Sequence, residues 1–137
     1  MSMQLLLISE NENLRGELQF HLNHMAPHRF QLVRISTDPA LNFIDTLAID
    51  NLPACIFIDV QYPLVGLSTM KSIRQRDPLF KLPVVALLAT SITRSSIVGR
   101  IVDYSQQDYQ CLVLHLPIAN ASLRQVVEKL NKLKNQQ

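Results

Sequence analysis

Short apolar runs alternate five times along this chain with longer segments whose apolar residues recur every three or four positions. A run that is apolar at successive positions suits a strand buried on both faces, and a helical period suits the segment that crosses back over it. The alternation therefore describes parallel strands covered by helices on either side. The runs fall at 4–8, 29–35, 54–58, 83–89 and 111–115. After the first, Leu14, Leu18, Leu22 and Met25 give one buried face to a helix over 13–24, with Asn11 or Asn13 as its cap. Thr37, Asp38 and Pro39 signal the start of a second helix, whose Leu41, Ile44, Leu47 and Ala48 turn inward. The third run stops at Asp59, and a loop with Pro63 and Gly66 leads to a helix over 68–75 carrying Met70 and Ile73, ended by Pro78. Ser91 or Thr93 starts a fourth helix, and the last, over 121–133, buries Leu123, Val126, Val127 and Leu130.

Crossovers between parallel strands are right-handed, so the expected architecture is α/β: a doubly wound (βα)5 three-layer sandwich with a five-stranded parallel sheet in the order 2-1-3-4-5. One domain is expected to span residues 1–137. Hydrophobic residues at 47% and charged residues at 18% support a packed core rather than a disordered chain. Acids and bases are interspersed to a net charge of +2, which gives no broad field to draw nucleic acid or anionic lipid. No basic segment precedes the first apolar run, and no apolar stretch reaches the roughly 18 residues that cross a bilayer. A cytoplasmic location without a membrane partner is expected. Cys55 and Cys111 lie in apolar runs that the strand order keeps apart, so both are expected as buried, reduced thiols.

In open α/β sheets ligands sit beyond the carboxyl ends of the strands, where the winding direction reverses. That crevice selects Ser9, Glu10 and Asp59. Two carboxylates with backbone carbonyls nearby suit a weakly held hard cation such as Mg²⁺ and would repel an unaccompanied phosphate. No glycine-rich phosphate loop followed by lysine occurs in the chain.

The segment Ile56-Phe57-Ile58-Asp59-Val60-Gln61-Tyr62-Pro63, followed by Gly66-Leu67 and Ile73-Arg74, resembles the phospho-acceptor strand and loop of two-component response-regulator receiver domains. The resemblance covers nearly the whole chain. It places Asp59 at the phosphorylated aspartate, Ser9 and Glu10 at the acidic metal-binding pair, and the backbone carbonyl of Gln61 toward the metal. Leu14-Arg15 continues the match into the first helix. One acid of the pair is thus missing. The family's phosphoryl-binding hydroxyl falls at Leu88, its switch aromatic at Val113, and its lysine at Leu116, before Pro117.

Leucine supplies neither charge nor donor to an aspartyl phosphate, which the family neutralises with a metal ion and an ammonium group. Without the hydroxyl and the ring, the usual coupling between phosphate and the fourth and fifth strands lacks its moving parts. The resemblance therefore implies an atypical or pseudo-receiver, a phosphorelay signalling module that is not an enzyme. Its partner is expected to be a histidine kinase, a downstream effector or a second copy of the chain. No cofactor is required, and Mg²⁺ is compatible with the residues. One alternative is a conventional receiver that accepts phosphate on Asp59 with Mg²⁺ held by Glu10, Asp59 and Gln61. The other is a flavodoxin-like ligand-binding protein or enzyme.

Other features have plainer readings. His21, His24 and His28 lie near a helix C-terminus, where solvated histidines are favoured over a metal cluster. His115 is a candidate donor in place of the absent lysine. The stripe Ile97, Val98, Ile101 and Val102, with Tyr104 beyond it, is mainly core, and part of it is a candidate interface. Lys129, Lys132 and Lys134 suit the end of the last helix rather than nucleic acid.

Overall fold

The computed structural model describes residues 3–27, 29–36, 52–60, 63–75, 82–89, 99–103 and 111–135. The five apolar runs form the strands β1 (Met3–Ile8), β2 (Phe30–Ile35), β3 (Ile56–Val60), β4 (Val84–Leu88) and β5 (Cys111–His115). They pair in one parallel sheet of order β2-β1-β3-β4-β5, the doubly wound arrangement. The helices are α1 (Glu12–Met25), α2 (Pro63–Arg74) and α3 (Asn120–Asn135), and residues 99–103 are also helical. The segment around Pro39 and the start of the helix before residue 99 lie outside the described residues.

Alternate strand residues feed two separate cores. Leu5, Leu7, Phe57, Val85, Leu87 and Leu114 pack with Leu14, Leu18 and Leu22 of α1 and Leu123 and Val126 of α3. Leu6, Ile8, Ile58, Val60, Ala86 and Leu88 face the other way, against Leu67, Met70 and Ile73 of α2 and Ile101. The result is three layers with the sheet in the middle. Each large side chain so buried stabilises the fold by roughly 1.5–3 kcal/mol.

Asn11 caps α1, its side chain accepting the Asn13 N–H at 2.9 Å. One residue of that helix also serves the sheet edge. The Gln19 amide donates to the Phe30 carbonyl at 3.0 Å and accepts the Leu32 N–H at 2.9 Å, covering part of the β2 backbone that no strand pairs among the described residues.

Two expected boundaries move. β3 begins and ends two residues later than the apolar run suggests, so Asp59 lies inside the strand. The reason is register: Ile56 to Val60 pair with Val84 to Leu88, whereas Ala54 and Cys55 bond to β1. The helix expected over 68–75 starts at Pro63, which needs no N–H partner in the first turn, so Pro63 and Gly66 are helical rather than in a loop. Gly66 fits because a Cβ there would come within 2.8 Å of Val60 Cγ1. The missing side chain lets α2 close onto the end of β3, beside Asp59. Neither cysteine is in a disulfide; both are buried, on opposite faces of the sheet, and burial pushes the Cys55 thiol well above its usual range.

Candidate functional site

The site is built where β1 and β3 end. Ser9 follows β1, and its N–H donates to the Ile35 carbonyl at 3.0 Å, which prolongs the ladder to β2 by one step. Its hydroxyl donates to Asp59 Oδ2 at 2.6 Å and accepts the Asn11 N–H at 2.9 Å. Ser9 is buried, with 1% of its surface exposed. Asp59 is half-buried and Glu10 is exposed. Burial pushes the Asp59 carboxyl above its ordinary range, the Ser9 hydrogen bond pulls it back, and the charge of Glu10 adds a further push upward. The structure therefore brings Ser9, Glu10 and Asp59 into one electrostatic neighbourhood. Gln61 lies outside the described residues.

A charged rim that sequence reasoning missed borders this pocket. Arg34, near the end of β2, donates to the Ser9 carbonyl at 2.9 Å and pairs with Glu12 at 3.0 Å, and Arg15 meets the other Glu12 oxygen at 3.4 Å. The three-residue spacing of Glu12 and Arg15 was a readable signal. The pairing with Arg34 was not, because it depends on how β2 aligns with β1.

The positions that the resemblance aligns with the family's hydroxyl, ring and lysine are apolar and pack in or against the two cores. Leu88 is fully buried with Val60 and Leu67 on the α2 face. Val113 packs against the same cluster. Leu116 lies against the opposite cluster, its N–H donating to the Leu88 carbonyl at 2.8 Å, and its peptide bond to Pro117 is cis. His115 is exposed and pairs across the ladder with Leu88. Ile101 is fully buried and Val102 packs on the same core, which leaves Ile101 unable to meet a partner. Ile97, Val98 and Tyr104 lie outside the described residues. His21 bonds to Asn120 across α1 and α3, and His24 is exposed. His28 is also outside the described residues. Among the described residues no group of three or more histidines, cysteines or acids is placed to hold a metal ion, and no helix is long and apolar enough to cross a membrane.

No protein-family model matches the sequence, and no curated protein does. Solved structures do. A candidate response regulator of Chloroflexus aurantiacus superposes with a TM-score of 0.69 at 22% identity, over 96% of this chain and 99% of that one. A CheY-like response regulator of Mesorhizobium loti gives 0.63 at 17% identity, covering 95% and 99%. A response regulator in red light signalling of R. palustris gives 0.65 at 18% identity, covering 93% and 90%. At these identities the likeness is one of fold: the chain has the fold of CheY-like response-regulator receiver domains over nearly all its length.

Proposed function

We propose that the chain is a receiver-like signalling module of a phosphorelay pathway, non-enzymatic, that acts by protein contact with little or no conventional phospho-switching. The observation that carries this reading is the contrast within the crevice. Asp59 has a hydrogen-bonded neighbour, while Leu88 and Leu116, which the receiver resemblance aligns with a hydroxyl and an ammonium group, are apolar, the first buried in one core and the second packed partly buried against the other. A phosphoryl group on Asp59 would find no donor on either. The partner this reading implies is a histidine kinase, a downstream effector or a second copy of the chain.

The donors are hard oxygens and fit a weakly held Mg²⁺, with Glu10 and Asp59 as the residues that would hold it. Such an ion, when bound, offsets the repulsion between the two carboxylates. The reading is tested by incubating the protein with a small-molecule phosphodonor and Mg²⁺ and resolving it on a phosphate-affinity gel beside Asp59→Asn. The expected result is little or no adduct. A stoichiometric adduct absent from Asp59→Asn would establish a conventional phospho-acceptor instead.

A further inference from the structure

We propose that Ser9 is a built-in competitor of a divalent cation for Asp59, and that it keeps the pocket cation-free at rest. The inference rests on the receiver-like reading above and concerns the regulation of the same pocket.

A serine hydroxyl has a single proton. Because Ser9 Oγ accepts the Asn11 N–H at 2.9 Å, that proton is directed at Asp59 Oδ2, 2.6 Å away, the length of a charge-assisted O–H···O⁻ bond. The rest of the residue is equally committed. Its N–H donates to the Ile35 carbonyl and its carbonyl accepts from Arg34. Burial at 1% exposure leaves no solvent to take the hydroxyl if it turns away.

A cation bound at Oδ2 and the Ser9 proton would draw on the electron density of one oxygen, and each presents a positive charge to the other. The cation therefore binds against that repulsion, displaces the hydroxyl, or settles for Oδ1 and Glu10. Each course weakens binding relative to a pocket whose residue 9 lacks the proton. The hydroxyl also links Asp59 to the first turn of α1 through Asn11, which caps that helix. The partial positive charge of the helix N-terminus reaches the carboxylate by this route, as a fixed substitute for an ion.

The experiment is calorimetric titration of Mg²⁺ into the intact wild-type chain, Ser9→Ala, Ser9→Cys and Asp59→Asn. The expected result is about tenfold tighter binding by Ser9→Ala than by wild type, the loss of one competing charge-assisted bond, and none by Asp59→Asn. Ser9→Cys retains a side chain at the position, somewhat larger than the native one, and replaces the hydroxyl by a poor donor, so it shifts affinity in the same direction and serves if Ser9→Ala does not fold. Binding by both Ser9 variants that is no tighter than wild type, undetectable binding included, overturns the inference. The phosphodonor gel run on the same wild-type sample fails or upholds the receiver reading on its own, so the two outcomes are separable.

Discussion

Along the carboxyl edge of the sheet, the ends of β1 and β3 differ from those of β4 and β5 in what their side chains touch. On the first side Ser9, Asp59 and the nearby Asn11 N–H form a hydrogen-bonded chain bordered by Glu10, Glu12 and Arg34. On the second, Leu88 belongs to one core with Val113 packed against it, and Leu116 packs against the other. Both sides are anchored by the same parallel ladder, so the backbone does not distinguish them. The difference lies in side chains alone.

The largest effect should come from the apolar side. Leu88→Ala removes a fully buried side chain from a packed cluster and should destabilise the protein by about 2–5 kcal/mol, measured by urea unfolding. A loss under about 1 kcal/mol would mean that the end of β4 is not core, and the contrast between the two halves would collapse.

The polar side should reveal itself through pH. The folded state raises the Asp59 pKa, with burial as the first cause, so the native protein holds that proton to higher pH than the unfolded chain does. In the window from about 3.9, where an unfolded aspartate titrates, up to the raised native value, the native state binds more protons. Stability contributed by this group is therefore present below the window and lost as pH rises through it. Asp59→Asn should flatten that part of the stability profile and be the more stable protein above the window. Parallel profiles for variant and wild type, followed by denaturation at closely spaced pH values, would show that the pocket does not strain the carboxylate.

How much of this was legible beforehand follows from the kind of interaction involved. The reach of α1 is periodic and its cap was narrowed to Asn11 or Asn13, of which Asn11 serves, while the sheet order followed from the right-handed crossover rule. The end of β3 was misplaced by two residues because an apolar run marks burial, whereas Asp59 enters the strand through pairing with Leu87. The helical start at Pro63 was missed because Pro63 and Gly66 usually read as loop residues. Only the approach of Val60 explains a glycine there. At the site, the positions of Asp59, Ser9 and Glu10 followed from topology. The hydrogen bond that makes Ser9 more than a missing acid joins residues fifty positions apart, and no spacing rule reports it.

The charged rim offers the smallest and most discriminating test. Glu12 has 66% of its side chain exposed, while its partners Arg34 and Arg15 expose 23% and 39%. Pairs so open to water contribute about 0–1 kcal/mol, so Glu12→Gln should lower stability by no more than that. The loss should shrink further in 1 M salt, where charges are screened within about 3 Å. Arg34 would keep its bond to the Ser9 carbonyl, which does not depend on Glu12. The Asp59 part of the pH profile should therefore be unchanged. If Glu12→Gln instead shifted that profile, the polar half would be held by its rim rather than by the buried hydroxyl, and the division of the crevice would have to be redrawn around Arg34.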